Sequence, residues 1–157
     1  MKFTPAGEII GKAHRVRTVM IVDSPQLPDG EYRFIDMYCT DPSCDCRKTM
    51  IQVFHNGAFV STINYGWEPP SFYEKWMGGK WDDEIMLQMH GASIDITSPN
   101  RVSPKGILGL FSALLDEKWI GIIKKHYRAV KAKLDEDQRK KGKSRTRKFS
   151  GPKKQGR

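Results

Sequence analysis

Cys39, Cys44 and Cys46 are the only cysteines in a chain of 157 residues, and they fall within eight positions, in the run Tyr38-Cys-Thr-Asp-Pro-Ser-Cys-Asp-Cys-Arg47. A metal ion needs several thiolates converging on one point, and a short polar loop can supply them. The spacing C-x4-C-x-C therefore reads as three ligands of a four-ligand zinc site. Asp41-Pro42 between the first two cysteines suits the tight turn such a loop requires. Other chemistries stay open. Arg47 beside Cys46 would lower a thiol pKa and favour a redox role, the three could be ordinary loop cysteines, and an iron–sulfur cluster would need a distant partner cysteine that the chain lacks.

Three thiolates leave one position for a further donor, and the chain has four histidines, His14, His55, His90 and His126. His55 lies nine residues after Cys46, and an extended chain rising about 3.3 Å per residue places it roughly 30 Å away. His90 ends an apolar stretch, where an imidazole can meet the carbonyl end of a helix dipole. His14 sits in a polar segment with no anchoring pattern. His126 lies on an apolar stripe, four residues after Ile122 and seven after Trp119, so it faces the body and needs partners for both ring nitrogens. Metal ligation is one solution, and a core histidine bonded to backbone or carboxylate is the other. Asp41, Asp45 or a water are the competing fourth donors.

The elements that must position these groups follow from periodicity. Residues 18–22 are a short apolar run, and from Glu31 the alternation of Tyr32, Phe34, Asp36 and Tyr38 with Arg33, Ile35 and Met37 predicts a strand. Residues 50–54 and 59–63 predict two more strands joined across Asn56-Gly57, a hairpin signal. The cysteines then lie on the connection between two paired strands. Residues 72–90 read as helical in parts, with Asp82-Asp83-Glu84 at a helix start and Gly91 just past a helix end. A short strand is expected at 94–97. Ser103-Pro104 opens a helix, with a hydroxyl for the cap and proline at the first helical position. Beyond it Ile107, Leu108, Phe111, Leu114, Leu115, Trp119, Ile122, Ile123, His126 and Val130 step by three and four, one helix face or two helices broken near Asp116 or Gly121.

Charge is unevenly placed. The formal net charge is +9, from 27 basic and 18 acidic residues, yet residues 138–157 hold ten Lys or Arg and no acid. Residues 1–137 thus carry 17 basic against 18 acidic groups and are nearly neutral. Such a tail cannot bury enough surface to order itself, and disorder is expected there. The domain organisation is then 1–137, a single α+β zinc-binding domain, and 138–157, a disordered basic tail. No run of eighteen apolar residues occurs and the N-terminus has no apolar core of a signal peptide, so a cytoplasmic protein without a membrane partner is expected. In a reducing compartment clustered cysteines favour metal over disulfide.

The cysteine motif, followed by a strand and then Lys125-His126-Tyr127-Arg-Ala-Val-Lys131, resembles a bacterial family with a cysteine-rich Asp-Cys-Arg core, a helix bearing a His-Tyr pair and, often, a terminal SEC-C type zinc motif. The resemblance spans about residues 31–134. It implies zinc and favours His126 as a ligand, and it brings no activity. The SEC-C motif itself is absent, since residues 138–157 contain neither cysteine nor histidine.

Taken together, an α+β domain is expected: a small antiparallel β-meander packed against C-terminal helices, stabilised by zinc at Cys39, Cys44, Cys46 and His126, with a disordered basic tail. Arg139, Lys140, Lys141, Lys143, Arg145, Arg147 and Lys148 could displace counterions from phosphates, which makes RNA or the ribosome the expected partner. A protein-interaction module without nucleic acid, or a zinc-dependent hydrolase or deaminase-like enzyme, are the alternatives. The enzyme reading lacks the His-x-Glu and Pro-Cys-x-x-Cys elements of zinc deaminases and any His-Glu-x-x-His.

Overall fold

The computed structural model describes residues 2–149, with side chains described as far as residue 143. The strands are β1 (Phe3–Pro5), β2 (Arg17–Ile21), β3 (Gly30–Cys39), β4 (Lys48–His55), β5 (Ala58–Gly66) and β6 (Gly91–Ile94). The helices are α1 (Ala6–Ile10), α2 (Pro70–Trp76), α3 (Asp83–Met89), α4 (Pro104–Leu114) and α5 (Glu117–Phe149). All strand pairs are antiparallel; β3, β4 and β5 form the expected meander, and β6 adds to it beside β5. The fold is α+β, a six-stranded antiparallel sheet with helices.

One edge of the sheet is built in two pieces. β1 pairs with residues 37–39 of β3, and β2 pairs with residues 30–34. Both run antiparallel to β3 along the same edge, so they are one edge strand interrupted by residues 6–16. Ile35 and Asp36, paired with β4 on their other side, have no strand partner on this edge, and α1 with the following turn Gly11–Ala13 fills the interruption. No pattern marked this segment beforehand. The nearest signal was Ile9-Ile10 before Gly11, whose φ of +55° ends the helix in a conformation that suits glycine.

The period-two pattern of β3 is realised: Tyr32, Phe34, Asp36 and Tyr38 are all buried. This face meets α4 and α5 through an aromatic cluster. Phe34 packs on Trp119 at 5.5 Å and on Phe111 at 6.4 Å between ring centres, and Tyr65 reaches Phe111 at 5.7 Å. Ile51, Val53, Ile63, Ile107, Ile123 and Val130 complete the core. The hairpin between β4 and β5 turns at Asn56 and Gly57, both at positive φ, as a two-residue loop of this hand requires.

The helix starts follow their caps. Ser103 Oγ accepts from the Gly106 amide at 3.0 Å with Pro104 at the first helical position, and Asp82 accepts from the Ile85 amide. The break between α4 and α5 falls at residues 115–116, where Asp116 caps α5 by accepting from the Trp119 amide at 2.8 Å. Gly91, at φ +67°, follows α3 as expected. The strand expected at 94–97 instead ends at Ile94, because Asp95 folds back to accept from the Thr97 amide at 2.9 Å.

The largest correction concerns the C-terminal segment. α5 is 33 residues long, about 50 Å at 1.5 Å per residue, and continues as helix through residues 138–149, where disorder was expected. Its buried face ends near Leu134, and residues 135–143 are exposed. Lys133 pairs with Glu136 and Asp137, and Lys140 reaches Glu136 at 2.9 Å. Such one-turn pairs support an exposed helix locally, and their acids lie just upstream of the acid-free stretch. Residues 150–157 of the expected tail lie outside the described residues. Among the described residues no helix is long and apolar enough to cross a membrane.

Candidate metal centre and the neighbouring carboxylate–histidine cluster

Cys39 closes β3 and Cys46 lies two residues before β4 starts, so the strand pair itself brings the two ends of the loop together. Between them Asp41 organises a tight turn: its Oδ1 accepts from the Ser43 amide at 2.9 Å and the Ser43 hydroxyl at 2.7 Å, and its carbonyl accepts from the Cys44 amide at 3.1 Å. That turn swings Cys44 back over the other two. The three sulfurs lie within 4.8 Å of one another, with Cys39 and Cys46 buried and Cys44 half-buried. All three thiols are free of disulfide.

The electrostatics of the trio suit a cation at its centre. Burial pushes the Cys44 thiol up, and a charge on Cys39 would push it further. Burial and the neighbouring Cys44 push Cys46 up to about 12. Three converging thiolates repel one another in a poorly solvated site, and a divalent ion reverses that repulsion. The donor set is soft, which fits a borderline or soft metal over magnesium or calcium. The cysteines could therefore hold a metal ion.

Other elements clamp the loop. The Tyr127 hydroxyl donates to Asp45 Oδ1 at 2.7 Å and accepts from the Arg47 amide at 3.4 Å. Lys131 Nζ donates to the carbonyls of Asp41 at 3.1 Å and Cys39 at 3.3 Å. Tyr73 of α2 donates to the Arg47 carbonyl at 2.6 Å. Arg47 itself sits at φ +46°, an unfavourable conformation for a non-glycine residue. The Tyr127 and Tyr73 hydroxyls on its backbone and its ion pairs to Asp45 at 2.9 Å and Glu68 at 3.4 Å hold it there.

His126 does not join the cysteines. Its Nδ1 donates to Asp36 Oδ2 at 2.7 Å, and its Nε2 accepts from the Arg15 amide at 3.2 Å. Both nitrogens are thereby satisfied by a carboxylate and a backbone amide, which is the core-histidine alternative. His14, expected to be unanchored, donates from Nε2 to Asp36 Oδ1 at 2.7 Å and packs edge-on against the His126 ring at 5.0 Å. The Tyr38 hydroxyl completes the set, 2.5 Å from Asp36 Oδ2 and 2.9 Å from the Ile123 carbonyl. Burial alone would raise the Asp36 carboxyl, but hydrogen bonds from His126, His14 and Tyr38 outweigh it and hold the group well below the usual carboxylate range.

His14, Asp36 and His126 also present ligand atoms within 4.8 Å of one another. Their hydrogen-bond directions argue against a metal there. The Arg15 amide can only donate, so His126 Nε2 must be the unprotonated nitrogen, and a neutral ring then carries its proton on Nδ1, against Asp36. A metal on Nδ1 would require a proton on Nε2, pointing at the Arg15 amide hydrogen. The cluster is a satisfied buried network that fastens the edge interruption to β3 and α5. Its sequence signal was Asp36, a carboxylate in phase with Tyr32, Phe34 and Tyr38, which burial obliges to find donors.

The remaining histidines have local roles. His55 Nε2 donates to the Asp29 carbonyl at 2.8 Å and its ring stacks on Tyr32, and His90 Nδ1 donates to the Glu68 carbonyl at 2.7 Å. Asp41 and Asp45, the other donors considered, use their carboxylates on Ser43 and on Arg47 and Tyr127 respectively. Among the described residues no fourth His, Cys, Asp or Glu joins the cysteine trio.

The cations Arg139, Lys140, Lys141 and Lys143 are all exposed on α5. Neighbouring residues on a helix point about 100° apart, so Arg139, Lys140 and Lys141 ring the axis instead of forming one stripe. Arg145, Arg147 and Lys148 fall on the same helix, with side chains outside the described residues.

No family model matches the chain, and it has no match among curated proteins or solved structures.

Proposed function

We propose that this chain is a zinc-stabilised nucleic-acid-binding module of the bacterial group its cysteine motif resembles, acting in the cytoplasm without catalysis. Zinc sits on Cys39, Cys44 and Cys46 with a water in the fourth position, and RNA, free or ribosomal, is engaged through the basic end of α5. One observation carries this reading: Tyr127 and Lys131 tie the cysteine loop to the helix whose continuation bears the cationic run. Metal binding then stiffens the base of the helix that makes the electrostatic contact. A ring of cations with no base-reading geometry suits sequence-independent binding to phosphates.

The test is binding of a fluorescent single-stranded RNA across a salt series. Expected is a log–log slope against salt of about −3, roughly 0.7 per neutralised phosphate on a single strand. Changing Arg139, Lys140, Lys141 and Lys143 together to Gln should weaken binding and flatten that slope. Equal binding and an equal slope in the substituted protein would remove the helix from the interface.

That no fourth side-chain donor joins the trio among the described residues favours a second reading, a zinc-bound water used for hydrolysis. The residues near it give this reading less support. Asp45, a carboxylate between two of the cysteines, is engaged by Arg47 and Tyr127, which hold it below its ordinary range.

A further inference from the structure

We propose that the cleft between Trp67 and α5 binds a nucleoside monophosphate, either free or as the end of a nucleic-acid strand. The cleft has a volume of about 290 Å³ and is lined by Arg47, Trp67, Glu68, Lys124, Tyr127 and Arg128. That lies just below the range for ligand pockets, about 300–1,000 Å³, and fits one nucleotide better than several.

Lys124 and Arg128 stand one turn apart on α5 and border the cleft together. Neither side chain makes an ion pair or a hydrogen bond among the described residues, whereas Arg47 is held by Asp45 and Glu68 and lies over the Phe72 ring at 4.6 Å. The cations of the cleft thus divide by role. Arg47 offsets the two nearby carboxylates, and Lys124 and Arg128 remain for an anion, the guanidinium offering a two-pronged donor set that matches phosphate.

The aromatic wall supplies the other half. Trp67 is half-buried and meets Tyr127 edge-to-face at 5.1 Å, with the two planes 76° apart. The contact fixes the indole, so an incoming base finds a preset stacking surface. Residues 135–143 of α5 contain no aromatic residue. The cleft offers a partner to both phosphate and base. This inference deepens the nucleic-acid reading, but a mononucleotide probe lets the two fail separately.

The experiment is a titration of the full chain with adenosine 5′-monophosphate, followed at the four tryptophan indole ¹H–¹⁵N signals, with Trp67 assigned through Trp67→Phe. Expected is a saturable shift of the Trp67 signal. Binding should weaken about tenfold or more for adenosine without its phosphate and for Lys124→Ala/Arg128→Ala, a loss on the scale of a charge-assisted hydrogen bond. Arg128 is exposed and Lys124 half-buried, and the same spectra report whether the fold is kept. A 5′-phosphorylated pentanucleotide binding more tightly than the mononucleotide would assign the site to strand ends, and equal binding to free nucleotide. No saturable shift, or adenosine binding as well as its monophosphate, would overturn the proposal. RNA binding that leaves Trp67 unmoved would reject the cleft and keep the function proposed for α5, while a mononucleotide response without RNA binding would do the reverse.

Discussion

His126 and Asp36 share a 2.7 Å hydrogen bond inside the core, 90 residues apart in sequence. The next residue, Tyr127, turns to the cysteine loop and donates to Asp45. Adjacent side chains of α5 thus serve two clusters: one fastens the interrupted sheet edge, and the other fastens the candidate metal loop.

His126→Ala should therefore destabilise the fold while leaving metal content unchanged. Removing a buried ring with two hydrogen bonds should cost about 2–4 kcal/mol, read from urea unfolding. Elemental analysis of the folded variant should still find the wild-type metal ratio. Loss of metal from a folded variant would return His126 to the cysteine site.

Asp36 makes a pH-dependent prediction. Its folded carboxyl is held below the usual range, whereas in the unfolded chain it titrates near 4. It thus adds stability above about pH 4, and that contribution is lost as pH falls through the lower folded value. The ¹³C carboxyl signal of Asp36 should stay in its ionised position down to about pH 3, and wild type should lose more stability than Asp36→Asn as acid is added below that range. A carboxyl midpoint at or above pH 4 would show that the three donors do not favour the anion.

Tyr127→Phe removes only the hydroxyl that reaches Asp45 and Arg47. The fold should lose about 1 kcal/mol. Orienting contacts around metal ligands typically alter affinity 10–100-fold, so a chromophoric chelator should extract the ion correspondingly more readily. Unchanged metal affinity would mean that the loop holds its shape without α5.

Gly66 offers a steric check on the sheet–helix junction. A Cβ there would lie 1.9 Å from the Met89 carbonyl oxygen and 2.6 Å from the Tyr73 hydroxyl. Gly66→Ala should cost about 3 kcal/mol or more, at the upper end of overpacking, measured by thermal or urea unfolding. A neutral substitution would displace α3 from the end of β5.

The meander was readable because its signals are local: alternation along residues 31–38, Asn56-Gly57 between two apolar runs, and Ser103-Pro104 before a helical stripe. The cysteine trio was readable for the same reason, since its spacing alone limits how far apart the sulfurs can be. His126 was placed correctly on the buried face, but which of two buried partners it meets depends on where residues 6–16 cross the sheet edge. That crossing has no periodic mark. It brings His14 to Asp36 from 22 positions away and the Arg15 amide to His126 from 111 positions away, so composition could not reveal it. The helix beyond Leu134 was missed because it has no apolar face, and its support comes from charge pairs such as Lys140 with Glu136.

The most direct measurement is elemental analysis with native mass spectrometry on protein purified without a metal affinity resin, for wild type, Cys44→Ser and His126→Ala. One zinc per chain in wild type and His126→Ala, with zinc lost from Cys44→Ser, is the expected result. Metal-free wild type with three freely titrating thiols, or a zinc ratio that falls in His126→Ala and persists in Cys44→Ser, would contradict a metal centre built on the three cysteines.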